Sequence, residues 1–134
     1  MNRLLPTVLG TSLAFWGCRA PDGDLPRPYR EVEVPVARLN SPAARERGRR
    51  LFLARCALCH GERADGRGVR REGLGTSPRD FTDPSWRRRT SPRRVYFVVR
   101  EGVLGTAMPS WKALDVQECW DLVSYLLSVR DKPR

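Results

Sequence analysis

The sequence predicts an all-α protein in which three main helices are joined by long loops. Three stretches begin with a helix-capping residue and continue with apolar residues at helical spacing, whereas no stretch alternates like a strand and no segment repeats. The connection between the first two helices is about thirty residues long and rich in Gly, Arg, Pro and Asp, which is unusual in a compact fold unless another group organises it. The chain of 134 residues accommodates one domain with flanking sequence and a thin core.

The first helix is predicted from Ser41 to about Cys56. Serine can cap a helix, and the proline that follows, Pro42, fits the first turn. Gly48, Phe52 and Cys56 recur at intervals of one helical turn and therefore share a face, while arginines occupy the outer face.

The second and third helices begin with similar signals. The second opens at Ser91 with another Ser-Pro pair and ends at Gly102, where glycine suits the C-cap. The third begins at Asp115, which can form a capping box with Glu118, and runs to about Arg130. Its buried face is predicted to carry Cys119 as a packed thiol, together with Leu122, Val123 and Leu126.

Two cysteines and the only histidine of the chain stand together in RCALCHG, as Cys56, Cys59 and His60. A redox dithiol, half of a zinc site and covalent haem attachment all use such a cluster. A redox dithiol does not need the histidine, and no βαβ pattern surrounds this one. A zinc site needs a second pair of ligands, whereas the remaining cysteines, Cys18 and Cys119, are single and far apart.

Covalent haem accounts for all three residues of the motif. Cys56 and Cys59 would form thioethers with the two vinyl groups, and His60 would ligate the iron as the next residue. The porphyrin would also organise the long loop, whose apolar residues best suited to face it are Leu74, Phe81 and Trp86. The sequence therefore predicts one covalent haem c at this motif.

The ligand on the other side of the iron separates electron transfer from ligand chemistry. His60 is the only histidine, and of the two methionines Met1 lies in the N-terminal segment. Met108 stands in EGVLGTAMPSW, a loop bounded by Gly and Pro where core packing gives little reason for a methionine. Met108 is therefore predicted to be the second axial ligand, which leaves no easy place for a substrate.

These motifs resemble those of the class I c-type cytochromes over roughly Ser41 to Arg130. CALCHG matches the haem-attachment motif, TAMPSW resembles the methionine-ligand loop, and Gly48-x-x-x-Phe52 and Leu122-x-x-Tyr125 stand where two helices cross in that family. The resemblance implies a small cytochrome c fold around one haem. It also implies a proline whose carbonyl accepts the N–H of the ligating histidine, and Pro78 is the counterpart here. PRDFTDPSW further resembles monohaem subunits of bacterial respiratory complexes.

The N-terminus resembles an export signal. Residues 1–17 have a basic start at Arg3 and an apolar run too short to span a bilayer. Gly-Cys at Cys18 resembles the end of a bacterial lipoprotein signal, although Phe15 and Trp16 depart from that pattern. Lipidation, cleavage without a lipid and an uncleaved anchor all remain open, as does a disulfide with Cys119.

The chain therefore divides into four parts: a signal peptide at 1–17, a Pro-rich tether at 18–40, a cytochrome c domain at 41–130 and a tail at 131–134. In this division a lipid on Cys18 would hold the domain at the periplasmic side of a membrane.

The chain is strongly basic, with 25 Lys and Arg against 15 Asp and Glu. Such a balance would point first to nucleic acid in a cytosolic protein, but the export-type N-terminus argues against that partner. Arg55, Arg63 and Arg67 could form a positive collar that steers acidic redox partners, although an unfocused basic surface fits equally well. Residues 87–89, all arginine, are expected to be solvated rather than to bind haem propionates.

The sequence predicts one-electron transfer without catalysis, by a free carrier or by the haem subunit of a membrane-bound respiratory complex. Two alternatives belong to other classes. A haem enzyme or gas sensor needs an open axial position, which Met108 opposes. A nucleic-acid-binding protein would make the CALCH motif an accident.

Overall fold

The structure is a computed structural model that describes residues 22–130, so the signal-like segment, Cys18 and the C-terminal tail lie outside it. Within that range all regular secondary structure is helical, which confirms the predicted fold class. In chain order the helices are Arg27–Arg30 (α1), Val36–Leu39 (α2), Pro42–Arg55 (α3), Ala57–His60 (α4), Pro84–Arg89 (α5), Pro92–Glu101 (α6) and Val116–Ser128 (α7). None of these helices has the length and apolarity needed to cross a bilayer.

The three predicted helices are α3, α6 and α7, and the expected caps begin them. Ser41 Oγ and Ser91 Oγ each accept a hydrogen bond from the backbone N–H three residues on, at 3.3 and 3.0 Å. Asp115 and Glu118 form the reciprocal capping box, with donor–acceptor distances of 2.7 and 3.0 Å. These bonds satisfy backbone donors that the first turn of a helix leaves unpaired, so each start is fixed by local sequence.

The crossing of α3 and α7 is the centre of the fold. Gly48 is buried there, and a Cβ at this position would lie 2.0 Å from the backbone oxygen of Asp121. One turn further along α3, the rings of Phe52 and Tyr125 have centroids 5.3 Å apart. Phe52 and Leu122 are both 1% exposed. The two helix motifs of the sequence therefore meet, and glycine permits their close approach.

A buried carboxylate, that of Asp121, stabilises the same crossing through ion pairs. Asp121 is 5% exposed. It accepts hydrogen bonds from Arg38 Nη1 and Arg47 Nε, each at 2.6 Å. Ser124 Oγ donates to the carbonyl oxygen of Leu39 at 2.8 Å. Since the partners come from α2, α3 and α7, these bonds tie the segment before α3 to the crossing.

That segment corrects one expectation, because residues 22–40 are packed and do not form a tether. Tyr29, Val32, Val34 and Leu39 pack against the hydrophobic core. Arg93 Nε on α6 donates to the carbonyl oxygen of Val32 at 2.9 Å. Helices α1 and α2 have 4 residues each, and they place Tyr29 and Leu39, both partly buried, against the core. The folded part of the chain therefore begins well before Ser41.

Replacing Gly48 with alanine should destabilise the protein by about 3 kcal/mol, because the new methyl group would overlap the α7 backbone and force the helices apart. Chemical denaturation measures this change. Arg50→Ala on the exposed side of α3 is the control and should shift the free energy of unfolding by no more than about 0.5 kcal/mol. Equal effects of the two substitutions would contradict the close crossing.

Candidate cofactor site

Cys56, Cys59 and His60 lie on a single helical turn. Cys56 ends α3 and begins α4, and its carbonyl oxygen accepts hydrogen bonds from the N–H groups of Cys59 at 3.2 Å and His60 at 2.9 Å. Residues three and four apart on such a turn are neighbours. Both thiols are free and partly buried. The structure therefore brings the three predicted residues together.

The Cys56 thiol stays protonated at neutral pH. Burial, and then the neighbouring Cys59, raise its pKa to about 12. A redox dithiol requires the opposite, a thiol whose pKa is lowered so that the nucleophilic thiolate forms. The redox interpretation of the motif is therefore disfavoured.

A zinc site finds no support in the geometry either. Between residues 22 and 130, no group of three or more His, Cys, Asp and Glu side chains is arranged to hold a metal ion. Cys119, which would have to contribute a further thiolate, is buried in the core with its pKa raised to about 12 by that burial. It is a packed thiol within the described residues, as expected.

His60 is buried and oriented by the backbone. It is 9% exposed, and its Nδ1 lies 3.1 Å from the carbonyl oxygen of Arg79. Because a carbonyl can only accept, Nδ1 carries the proton and Nε2 keeps the lone pair that a metal ligand needs. Burial lowers the pKa of the ring, which favours the neutral form.

The acceptor of this hydrogen bond corrects the expectation for Pro78 by one residue. A Cβ on Gly66 would lie 2.7 Å from the carbonyl oxygen of Pro78, so that carbonyl is packed against Gly66. Gly66 itself donates its N–H to the carbonyl oxygen of His60 at 2.8 Å. Because the Pro78 carbonyl packs against Gly66, the next carbonyl along the chain, that of Arg79, accepts the hydrogen bond from the imidazole.

The long loop is held by the end of α4. Three backbone N–H groups of the loop donate to the last carbonyls of that helix: Gly66 to His60 at 2.8 Å, Gly68 to Cys59 at 3.1 Å and Arg70 to Leu58 at 2.9 Å. A Cβ on Gly68 would lie 2.3 Å from the Leu58 oxygen. These bonds satisfy carbonyls that a helix end leaves unpaired, so loop and motif stabilise each other. In the sequence, Gly66 and Gly68 within GERADGRG are the residues that could have indicated this contact.

Aromatic residues lie beside the imidazole. The rings of His60 and Phe81 have centroids 4.9 Å apart, and Phe81 meets Trp86 edge-on at 5.0 Å. The Phe52 ring lies 6.3 Å from both the imidazole and the Phe81 ring, so the three rings form one cluster. Of the loop residues expected to face a porphyrin, Phe81 therefore lies beside His60 and Trp86 lies against Phe81, while Leu74, earlier in the loop, is partly buried.

Met108 is partly buried in a loop that closes on itself. Its carbonyl oxygen accepts from the N–H of Val103 at 3.2 Å, and its own N–H donates to Thr106 Oγ1 at 3.1 Å. Gly102, at a φ of 73°, packs so closely that a Cβ would lie 2.6 Å from the Met108 oxygen. The backbone around Met108 is thus fixed by glycine and hydrogen bonds.

Helix α5 is a feature that the sequence analysis missed. Asp83 caps it, accepting a hydrogen bond from the Ser85 N–H at 2.8 Å, and Pro84 occupies its first turn. A capping residue followed by proline also begins α3 and α6, but here only a short stretch follows, and half of its residues are arginines. Arg88 and Arg89 are exposed, as expected of a solvated run, whereas Arg87 is partly buried and donates to the Val129 carbonyl oxygen.

These residues fit a covalent haem. The donor set consists of two free thiols that can form thioethers and an imidazole that presents Nε2, all on one turn. The aromatic rings beside the imidazole supply the apolar wall that a porphyrin requires.

Comparison with known proteins places these features in a family. The family model described as cytochrome c oxidase, cbb3-type, subunit III matches residues 43–126. The chain is also similar to cytochrome c55X of Stutzerimonas stutzeri. The two are 35% identical over 105 residues, which cover 74% of this chain and 81% of that protein.

Two solved structures share the fold. The KustC0563 c-type cytochrome is 33% identical, with a TM-score of 0.52 over 63% of this chain and 98% of that chain. A chain of the Kuenenia stuttgartiensis reducing HAO-like protein complex Kustc0457/Kustc0458 superposes with a TM-score of 0.60 over 74% of this chain. At 22% identity that second likeness concerns the fold alone, and the present chain spans 46% of that longer one. The predicted small cytochrome c fold is confirmed.

Replacing Gly68 with alanine should destabilise the protein by about 3 kcal/mol, because the methyl group would displace the loop from the α4 carbonyls. Thermal unfolding measures the change. Gly73→Ala is the matched control, since Gly73 has a positive φ of 84° but open space around it and should cost only about 1 kcal/mol of backbone strain. A Gly68 variant no less stable than the Gly73 variant would contradict the contact.

Proposed function

Because the chain belongs to the c-type cytochromes, in the family of cytochrome c oxidase cbb3-type subunit III, and therefore binds haem c covalently for electron transfer, we propose that Cys56, Cys59 and His60 carry that haem. The observation that supports this most is the single turn that gathers both thiols and the oriented imidazole. The bound haem supplies one-electron chemistry, its iron alternating between Fe(II) and Fe(III).

Each residue of the turn has a separate task. The Cys56 and Cys59 sulfurs would hold the haem through thioethers, each S–H adding across one vinyl group so that the sulfur bonds one carbon and the proton goes to the other. His60 offers Nε2 to the iron, while its Nδ1–H donates to the Arg79 carbonyl and so prevents the ring from rotating. His60 is itself buried, which would keep water away from its ligating nitrogen.

We further propose Met108 as the second axial ligand. The chain has one histidine and two methionines, and Met1 belongs to the N-terminal segment. A ligand should not move when the iron changes charge. The Met108 backbone meets this requirement, because hydrogen bonds and close packing against Gly102 fix it. A soft thioether favours Fe(II) and raises the reduction potential. With both axial positions filled, the protein carries electrons and catalyses no reaction of its own.

The partners are proposed to be redox proteins with acidic docking surfaces. Arg55, Arg63 and Arg67 are exposed next to the haem-attachment turn, although Arg63 also pairs with Asp65 at 3.1 Å. The exposed side chain of Leu58 lies among them and would form an apolar centre of contact. Such a surface increases association rates at low ionic strength. Membership of a larger assembly is part of this proposal, since one chain of similar fold belongs to a named protein complex.

Export and a lipid anchor on Cys18 complete the proposal. They rest on the signal-like sequence of residues 1–17, which lies outside the described residues.

Replacing Met108 with alanine in the haem-loaded protein should abolish the Fe(III)–S charge-transfer absorption and lower the reduction potential by more than about 100 mV, because water or an added ligand would replace the thioether. Absorption spectroscopy and potentiometry measure both effects. The alternative, a haem enzyme or gas sensor with an open position, predicts instead that the unmodified ferrous protein binds carbon monoxide readily at neutral pH. That result would exclude Met108 as a stable ligand.

Serine in place of both Cys56 and Cys59 should yield protein without covalent haem after expression with an export signal and the haem-maturation machinery. Denaturing gels stained for haem peroxidase activity measure the attachment. Cys119→Ser is the control and should keep its haem, because Cys119 lies in the core of the helix bundle. Haem that stays attached in the double variant would contradict the assignment.

Mass spectrometry of the mature N-terminus tests the anchor. The proposal predicts a chain that begins at Cys18 with a diacylglyceryl thioether on its sulfur. A mature chain that retains residues 1–17, or that begins at an unmodified residue, would contradict lipidation and leave the haem assignment untouched.

A further inference from the structure

Glu101, the last residue of α6, joins two distant parts of the chain. Its Oε1 accepts a hydrogen bond from the hydroxyl of Tyr29 on α1. Its Oε2 lies 2.6 Å from Lys112 Nζ, four residues beyond Met108. The family match covers residues 43–126, so Tyr29 belongs to the segment outside it. We refer to Tyr29, Glu101 and Lys112 as the Glu101 bridge.

The bridge lies at the base of the Met108 loop. On one side of the loop, Val103 donates its N–H to the Met108 carbonyl oxygen at 3.2 Å. On the other side, Ser110 Oγ donates to the Arg100 carbonyl oxygen at 2.7 Å, and the Trp111 N–H to the Val99 carbonyl oxygen at 3.0 Å. Both ends of the loop are therefore fastened to the last turn of α6, where Glu101 stands.

Contacts between aromatic rings fix the position of Tyr29. Its ring meets Phe97 edge-on at 4.8 Å and lies 6.3 Å from Tyr96. Tyr96 in turn stacks on Trp120 of α7 at 4.4 Å. The hydroxyl is thus presented to Glu101 by rings anchored on α6 and α7.

The protonation states suit the bridge at neutral pH. Burial, and then the hydrogen bond to Glu101, raise the pKa of Tyr29 to about 12, so the hydroxyl remains a donor. The hydrogen bonds from Lys112 and Tyr29 lower the pKa of Glu101, so it remains a carboxylate. A hydrogen bond to a charged acceptor is stronger than one between neutral groups.

We propose that Tyr29 and Glu101 are positioning residues for the Met108 loop, so that the packed segment at 22–40 sets how firmly Met108 holds its axial position. The inference rests on the proposed ligation by Met108. Without the bridge, Lys112 loses its ion pair with Glu101, and Tyr29 no longer holds the end of α6. Arg100 still donates to the carbonyls of Lys112 and Leu114, but with fewer contacts the loop opens more readily. Met108 then competes less well with an external ligand for the iron.

The test uses the full haem-loaded protein in its ferric state and imidazole as the competing ligand. Tyr29→Phe keeps the packed ring and removes the donor, and Glu101→Gln removes the charge. Each should increase the apparent affinity for imidazole by at least about fivefold, since a hydrogen bond to a charged group is lost. Tyr125→Phe is the matched control: it removes a hydroxyl from the α3–α7 crossing and should leave imidazole affinity within about twofold of the unmodified protein.

A double variant separates a shared bridge from two independent defects. Glu101→Ala removes both contacts of the bridge, so Tyr29→Phe combined with Glu101→Ala should bind imidazole no more tightly than Glu101→Ala alone. Additive effects, or imidazole affinities equal to that of the unmodified protein, would overturn the inference. The reference spectrum distinguishes the two proposals: an unmodified protein without the Fe(III)–S absorption contradicts ligation by Met108, and an intact absorption with unchanged variants contradicts the bridge alone.

Discussion

The close crossing of α3 and α7 at Gly48 is the contact on which the rest of the structure depends. Helix α3 ends at Arg55 with Cys56 as its C-cap, so its placement on α7 also determines where both thiols and the imidazole lie. Phe52 connects the two regions, because its ring contacts Tyr125 at the crossing and lies 6.3 Å from the His60 ring. Because Gly48 has no side chain, α3 can lie close to α7, and this placement sets the position of the turn proposed to hold the haem, two helical turns away.

The proposed haem site is built largely by the backbone. The carbonyl of Arg79 orients His60, and the N–H groups of the following loop bind the carbonyls of the same turn. Glycines are required at positions 66 and 68, where the backbone of the loop approaches neighbouring backbone closely. This construction explains how a thin core with a long loop keeps a defined site: the loop contributes hydrogen bonds where it contributes few apolar contacts.

Features encoded by neighbouring residues could be predicted from the sequence, and features that depend on distant residues could not. The helix starts at Ser41, Ser91 and Asp115 are local, as is the CALCH turn, and all lie where the sequence indicated. The Pro-rich segment at 22–40 was misjudged because its packing depends on Arg38 reaching Asp121, 83 positions along the chain. The acceptor for His60 was placed one residue early, because composition does not reveal the direction of a carbonyl. The partners in electron transfer leave no signal in the part of the chain that the structure describes beyond an exposed basic surface.

We propose that one turn supplies both thioethers and an imidazole fixed by the main chain. A crystal structure of the haem-loaded protein, at a resolution that defines individual side-chain atoms, would test this proposal. We expect carbon–sulfur bonds from Cys56 and Cys59 to the porphyrin, His60 Nε2 on the iron and His60 Nδ1 within hydrogen-bond distance of the Arg79 carbonyl oxygen. Iron bound through another residue, or a His60 ring turned away from Arg79, would contradict it.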